Sequence, residues 1–493
     1  MYEARYARYF TQSEARFAEP EEIEAVTTEV TDGAHSASGA PLAYHDGRYY
    51  LDNSDNHSVV IGPTGCKKSR ATVIPTILSI ISSGESAVIN DPKLELYRKT
   101  GTAAKKAGAQ VYVLNLRDPK HSHGWNPLRL AYRFYEQGKL DEAQQAISDF
   151  AECVVAPALQ KTVDRYWGDM AGSTIKGVGD MYMQTVPKQY FHLKNIIPFL
   201  YEDQFDLLKR LASKMDPLSP ATFNLKCLTS LEAEKTKTCV YSTLLSLVAP
   251  FVQNQSLLQL LSTTSFDFEE LATKQTIIYV SYPDERTALN FLVACFHTQC
   301  YEALVSFAST QANDRLPIRV NFILDELSNM APIPSFSNRI SEARSKHIRY
   351  FLFCQSFGQL KDKYDEVAET ILANCGNWIV FSSKETDFLK KISDICGHEV
   401  DFNGIEHPLV SPFSLQYLQK KRESAEVLVI KQGQYPFITA LPDYEHQSVY
   451  EVNQNEESLP TISDKCKAPV LTIKKWIDCV DDEDKGFSFP YAS

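Results

Sequence analysis

An eight-residue segment, GPTGCKKS from Gly62 to Ser69, has the residue types of a loop that cradles phosphate groups. It follows a short apolar run, SVVI, and precedes a helix-like segment, RATVIPTILSII. In a phosphate loop at such a place, backbone N–H groups converge on the ligand at the beginning of a helix. We expect Lys68 to reach the β- and γ-phosphates of a nucleotide and Ser69 to hold Mg²⁺. The pattern G-x-x-x-x-G-K-[ST] fails at one position, because Lys67 stands where the second glycine belongs.

Lys67 leaves three interpretations open: a working nucleotide site, a weakened one, or a strand-to-helix turn that only resembles the motif. The backbone turns sharply there, and a residue other than glycine costs about 1–2 kcal/mol in a left-handed conformation. That cost weakens binding about tenfold, and an extra cation beside the phosphates offsets part of it. We expect a weakened but usable site. Its nucleotide-binding residues are Gly62, Pro63, Thr64, Gly65, Cys66, Lys67, Lys68, Ser69 and Arg70.

An acidic pair, Asp325 and Glu326, ends a second apolar run in the segment VNFILDELSNM. At the end of a buried strand, Asp325 is expected to contact the Mg²⁺ shell and Glu326 to polarise the attacking water. The alternative is an ordinary solvated acidic pair. The phosphate-loop segment in the same chain favours metal-assisted nucleotide hydrolysis.

The elements that must position these residues alternate between strands and helices. Apolar runs such as SVVIG, SAVIND and AQVYVLNL are separated by helical segments, and this pattern predicts a parallel sheet with right-handed crossovers. Pro75 is expected to kink the helix after the phosphate loop. The alternation stops for a mostly helical block and resumes at QTIIYVSYP, continuing to YPFITALP. The pattern indicates one nucleotide-binding domain with a helical domain inserted in it.

We therefore divide the 493-residue chain into five parts. They are an N-terminal extension (1–48), the first part of the nucleotide-binding domain (49–128), an all-helical inserted domain (129–250), the second part of the nucleotide-binding domain (251–450) and an acidic C-terminal tail (451–493). The extension is expected to be a short helical start and a loop, and the tail to be peripheral.

Composition narrows the functional class. A formal net charge of −12 argues against a surface that coats nucleic acid indiscriminately, although it allows a local basic channel. The eleven cysteines show neither a C-x-x-C pair nor zinc-like spacing, which fits reduced thiols in the cytosol. We find no window of 18 apolar residues and expect no transmembrane helix.

Six segments between about residues 55 and 400 occur in an order typical of one family of motors. They are VIGPTGCKKSRATVIPTIL, AVINDPKLELYRKTG, WNPLRL, VNFILDELSNMAPIPSF, FLFCQSFGQLKDKYD and ILANCGNWIVFSS. This ordered set resembles the conjugative coupling proteins, the TraG/TraD-like ATPases of type IV secretion. Leu94 stands in place of the family's glycine in the second segment, and the family's usual transmembrane helices have no counterpart.

The resemblance implies an α/β fold: a RecA-like P-loop domain with a parallel-rich central sheet and an inserted all-α domain. It implies an ATPase that uses ATP and Mg²⁺, forms a hexameric ring, and delivers a relaxase–DNA complex to a secretion channel. The implied catalytic residues are Lys68, Glu326, Gln355, which would sense the γ-phosphate, and Arg344, which would reach a neighbouring subunit's nucleotide. The alternative for Arg344 is a solvated helix face.

The partners implied are single-stranded or double-stranded DNA, a relaxase or other secreted protein, and channel components or a membrane-anchored recruiter. The chain would then be cytoplasmic or peripheral at the inner face of the bacterial cell membrane. Two other functions stay open: a nucleotide-binding adaptor that recruits cargo without pumping it, and a plasmid or defence-system ATPase that shares only the motor fold. Basic residues that could contact DNA are Arg98, Lys99, Lys105, Lys106 and Arg165.

Overall fold

The structure, a computed structural model, describes residues 15–30, 37–159, 165–283, 289–400, 403–446, 457–459 and 468–480. The chain forms two compact units, each assembled from separate stretches of sequence. The first contains residues 1–112, 269–280 and 304–458, and the second contains residues 113–268, 281–303 and 459–493.

The N-terminal region contains more regular structure than the sequence analysis predicted. A short helix, Pro20–Ala25, is followed by a three-stranded antiparallel sheet in the order β1-β3-β2. The strands are β1 Thr28–Val30, β2 Pro41–His45 and β3 Arg48–Leu51. The sequence predicts a loop here because these strands are short and Gly- and Ser-rich sequence separates them.

A nine-stranded sheet has its strands in the order β14-β13-β10-β4-β9-β8-β5-β7-β6. Its strands are β4 His57–Ile61, β5 Ser86–Asn90, β6 Gln110–Asn115, β7 Thr276–Ser281, β8 Val320–Leu324, β9 Ile348–Cys354, β10 Cys375–Val380, β13 Ser424–Lys431 and β14 Phe437–Pro442. A separate hairpin pairs β11 His398–Val400 with β12 Glu406–Pro408.

The strands from β10 to β7 run parallel, and β13 and β14 add an antiparallel edge. Every residue of β4, β5, β7, β8 and β9 is buried. Largely apolar sequences, such as HSVVI with its VVI run, form these strands because a parallel sheet is covered on both faces. The predicted α/β fold with a parallel-rich central sheet is confirmed.

The helices around this sheet are Ile74–Ser82, Glu95–Lys106, Glu270–Thr273, Phe336–Ala343, Phe357–Tyr364, Val367–Ala373, Thr386–Cys396 and Pro412–Gln416. Another helix, Asn290–Ala308, is the one described helix that is long and apolar enough to cross a membrane, with a mean hydropathy of 1.2. Of its apolar window, 78% is buried within the protein, as in the core helix of a folded domain.

The second unit is helical between β6 and β7, and its described residues there contain no strand. The helices are Arg129–Glu136, Leu140–Leu159, Arg165–Thr185, Leu193–Ile196, Phe205–Lys214, Pro220–Thr229, Glu234–Val252 and Gln255–Leu260. The limits 129–250 of an inserted domain remain a prediction.

Part of the predicted C-terminal tail packs into the second unit. The helix Ile473–Val480 carries Trp476, which is 1% exposed. Its indole N–H donates to Thr185 Oγ1 at 3.2 Å, and its ring meets Phe199 edge to face. This helix was missed in the sequence, although Ile473, Trp476, Ile477 and Val480 have the i, i+3, i+4, i+7 spacing of an amphipathic helix.

Candidate nucleotide-binding site

The phosphate-loop segment leaves the carboxyl end of β4, between the ends of β9 and β10. The Gly62 N–H donates to the Cys354 carbonyl at 3.1 Å, and the Phe381 N–H donates to the Ile61 carbonyl at 2.9 Å. A Cβ on Gly62 would lie 2.7 Å from the Phe381 Cβ and 2.8 Å from the Cys66 sulfur. Glycine is therefore required here by packing.

The helix after the loop begins with an irregular turn. Residues Ser69–Val73 form one turn of π-helix, and regular α-helix starts at Ile74. Pro75, which has no N–H to donate, occupies the first turn of the regular part. The irregularity that Pro75 was expected to introduce into this helix is therefore a π-helical turn that precedes the proline.

Lys67 adopts the conformation of the glycine it replaces, with φ at +75°. Its ammonium donates to the carboxylate of Asp443 at 2.8 Å and to the carbonyl of Arg422. The sequence predicts an extra cation beside the phosphates at this position, whereas the structure places the ammonium in an ion pair. The loop has a second residue with positive φ, Gly65 at +80°.

Lys68 points inward. Its ammonium donates to the carbonyls of Gly62 at 3.0 Å and Cys354 at 2.9 Å, and the residue is 8% exposed. Both acceptors belong to the ends of neighbouring parallel strands. A lysine held there faces the space enclosed by the loop, where a phosphate could replace the carbonyls as its partner.

The acidic pair follows β8, two strands away from β4. Burial raises the pKa of the Asp325 carboxyl to about 6, with Lys68 acting in the opposite direction and Glu326 adding to the rise. Glu326 has φ at +53°, and its carboxylate accepts from the Asn329 amide at 2.7 Å. Because the Asp325 carboxyl is costly to ionise without a cation, it is suited to bind a cation.

Gln355 and Arg344 lie at opposite ends of β9. The amide oxygen of Gln355 accepts a hydrogen bond from Thr64 Oγ1 at 3.2 Å, so the structure brings this residue to the loop. Arg344 is exposed and precedes β9, whose seven residues span roughly 20 Å. The structure therefore does not bring Arg344 into the cleft of its own chain.

An open cleft of about 590 Å³ is lined by residues of the phosphate loop between Pro63 and Arg70 and by Asp325, Glu326 and Gln355. Three further lining residues were missed by the sequence analysis: Lys420, Arg422 and Asp443. The Lys420 ammonium donates to the Gly65 carbonyl at 2.7 Å. No motif marks them, because they meet the loop only through the pairing of β13 and β14 beside β10.

Asp91 is a fourth residue that sequence reasoning left without a role. It follows β5, is 2% exposed, and accepts from the Tyr97 N–H at 2.7 Å. Burial raises its pKa to about 7, and the nearby charge of Asp325 contributes to the rise.

Leu94, where the family has glycine, has φ at +57°. Lys67 and Leu94 thus both have the positive φ that is typical of glycine, although neither is a glycine.

The site can be tested for its fit to ATP and Mg²⁺. The turn at Gly62 leaves no room for a side chain, and Lys68, Ser69 and Asp325 converge on the cleft. No group of three His, Cys, Asp or Glu side chains among the described residues could hold a metal ion. Ser69 and Asp325 both line the cleft, and Mg²⁺ is commonly held by one or two protein ligands together with phosphates and water.

A profile of the family described as "Type IV secretory system Conjugative DNA transfer" matches residues 11–400. The chain belongs to this family. Among curated members, it is 23% identical over 427 residues to Protein VirD4 of Rhizobium rhizogenes and 22% identical over 422 residues to Protein VirD4 of Agrobacterium fabrum. These alignments cover 79% and 78% of this chain but only 58% of each relative, so the chain spans little more than half their length.

Solved structures give the fold of this conjugative DNA-transfer family. The unbound bacterial conjugative coupling protein TrwBdeltaN70 is 14% identical, with a TM-score of 0.61 over 92% of this chain and 98% of its own. TrwB in complex with the ATP analogue ADPNP is 15% identical, with a TM-score of 0.60 over 94% and 99%. TrwB with ADP and Mg²⁺ is 16% identical, with a TM-score of 0.60 over 90% and 100%. The RecA-like P-loop fold expected from the sequence is confirmed.

Proposed function

We propose that this protein is an ATP-hydrolysing motor that passes DNA to a type IV secretion channel during conjugation. The observation that carries the proposal is the convergence of Lys68, Asp325 and Gln355 at the carboxyl ends of three adjacent strands, β4, β8 and β9. Ligands of open parallel sheets bind at this edge. Membership of the conjugative DNA-transfer family supplies the biological setting.

Each residue has a role in this proposal. Lys68 binds the β- and γ-phosphates, and Ser69 and Asp325 hold Mg²⁺, which neutralises the charge that develops on the phosphates. Glu326 polarises the attacking water, and Gln355 senses the γ-phosphate. The complexes of TrwB with ADPNP and with ADP and Mg²⁺ support these cofactors by similarity of fold.

The remaining parts of the proposal concern assembly. In a hexameric ring, the exposed Arg344 of one subunit would reach the nucleotide of the next subunit. The distance between Arg344 and the cleft of its own chain favours this arrangement. The partners are DNA, single-stranded or double-stranded, a relaxase or another secreted protein, and channel components or a membrane-anchored recruiter. The chain acts in the cytoplasm or at the inner face of the cell membrane, and residues 129–250 form its inserted helical domain.

A second candidate is an adaptor that binds nucleotide and recruits cargo without turnover. The strained lysine at position 67 favours it, because its φ of +75° is unfavourable for any residue but glycine. The intact Asp325, Glu326 and Gln355 favour the motor, since a site without turnover has no use for a water-polarising acid beside a phosphate loop.

ATP hydrolysis with and without single-stranded DNA separates the two candidates. A motor should show DNA-stimulated turnover that Lys68→Ala abolishes. The matched control is Lys390→Ala, which removes an exposed lysine from the helix Thr386–Cys396 in the same unit. Nucleotide binding without turnover under any condition would establish the adaptor instead.

A further inference from the structure

The side chain of Lys67 is held by one carboxylate, that of Asp443. The Lys67 ammonium lies 2.8 Å from one carboxylate oxygen and also donates to the Arg422 carbonyl. The second carboxylate oxygen accepts from Arg70 Nε at 2.7 Å. Side-chain exposure is 2% for Asp443 and 11% for Lys67, so solvent and salt screen this ion pair little. One carboxylate thus binds two cations of the phosphate loop.

The contact lies where the loop is strained. Lys67 has φ at +75°, and such a conformation persists only where the surroundings hold it. The sheet fixes the position of Asp443, because this residue directly follows β14 and its N–H donates to the Glu423 carbonyl at 2.7 Å. All six residues of β14 pair with β13. The edge of the sheet therefore fixes the carboxylate to which the lysine is bound.

We propose that Asp443 is a positioning residue for nucleotide binding: its ion pair with Lys67 keeps the phosphate loop in the conformation that glycine would adopt unaided. This inference rests on the proposed function of the cleft as an ATP site. A loop with glycine at position 67 needs no such contact, so the lysine and the aspartate act as a pair. If Asp443 instead competed with the nucleotide, it would occupy the Lys67 ammonium and the Arg70 guanidinium, and its removal would tighten the binding of a triphosphate.

Two substitutions at one position separate the contact from the strain. Lys67→Met keeps the Cβ and the positive φ but loses the ion pair, whereas Lys67→Gly loses both. We expect Lys67→Gly to bind ADPNP within about threefold of the parent and Lys67→Met to bind it roughly 5- to 30-fold more weakly. Both variants leave Asp443 paired with Arg70. ADPNP binding by Lys67→Met that is as tight as that of the parent, or as tight as that of Lys67→Gly, would overturn the proposal.

Cys66 provides a readout that needs no nucleotide. Its thiol is 7% exposed, and burial raises its pKa, so a thiol reagent reaches the reactive form only when the loop opens. Labelling of the Cys66 peptide, followed by mass spectrometry, should be faster in Lys67→Met than in the parent or Lys67→Gly. If the parent binds no ATP, the proposed function fails while this labelling still decides the role of Asp443.

Asp443→Asn completes the test. It should speed Cys66 labelling in the parent and leave it nearly unchanged in the Lys67→Gly background. Glu445→Gln is the matched control, because it removes the other carboxylate of Arg70, at 2.5 Å, and leaves the Lys67 pair intact. An equal effect of Asp443→Asn in both backgrounds would contradict the proposal, since Asp443 would then act through Arg70. Tighter ADPNP binding by Asp443→Asn would also contradict it.

Discussion

Replacing Asp325 by asparagine should stabilise the nucleotide-free protein while removing the proposed Mg²⁺ ligand. The carboxyl has its pKa raised from 3.8 to about 6, chiefly by burial. The folded state therefore holds its proton more tightly than the unfolded chain, so this group lowers stability as pH rises from about 4 to 6. The cost is complete above about pH 6. Asparagine removes it and keeps an oxygen that can accept the Glu326 N–H, at 3.1 Å.

The size of the effect follows from the shift. Two pKa units correspond to about 3 kcal/mol, and the half-buried Asp325 lines an open cleft, so solvent screening reduces this to about 1–2 kcal/mol. The gain of Asp325→Asn should be largest at pH 8 and fall by about half at pH 5, because protonation then relieves part of the same cost.

Hydrogen exchange of the amides in β4 and β8 measures this gain within the first unit, because opening of the sheet controls their exchange. Parent and variant are compared at the same pH, without nucleotide. Asp387→Asn, which changes a 99% exposed carboxylate, is the control and should have no effect. The reasoning is refuted if Asp325→Asn destabilises the sheet at pH 8, or if its gain is unchanged at pH 5.

Three further predictions test the site from other directions. Gly62→Ala should abolish ATP binding in a titration and lower stability by about 1–3 kcal/mol, because its Cβ would collide with Phe381. Leu94→Gly should lower the free energy of unfolding by about 1–2 kcal/mol in urea, because losing a side chain that is 4% exposed outweighs relief of a strained φ. Mg²⁺-dependent ATP binding should weaken as pH falls through about 6, where Asp325 becomes protonated; binding that is unchanged between pH 7 and 5 would argue against Asp325 as a ligand.

The strands of the large sheet could be predicted because burial on both faces leaves a continuous apolar run. The runs at SVVI and VNFIL became β4 and β8, and the residues that follow them, Gly62 and Asp325, lie at one edge of the sheet. Gln355 was placed at the phosphate loop through the resemblance to the coupling proteins, and it lies there. Local sequence was sufficient for the strand ends at Gly62 and Asp325 because a strand end and its loop are neighbours in the chain, whereas Gln355 required the family resemblance.

The contacts that complete the cleft could not be predicted in this way. Asp443 is 376 residues from Lys67, and only the order β14-β13-β10-β4 brings the two together. Lys420 was hidden in a basic run that reads as solvated surface. The packing of Trp476 against Thr185 is likewise a long-range contact, so the helical spacing around Trp476 does not reveal its partner. Conformation also escaped prediction at Leu94, where a buried leucine has positive φ.

Titration of the purified parent and Lys68→Ala with ATP, in Mg²⁺ and in EDTA, measures whether the cleft is an Mg²⁺-dependent ATP site. We expect Mg²⁺-dependent binding by the parent and by Lys390→Ala, and a loss of at least tenfold in affinity for Lys68→Ala, because this substitution removes the ammonium that the carbonyls of Gly62 and Cys354 hold at the cleft. Equal binding by the parent and Lys68→Ala would contradict it.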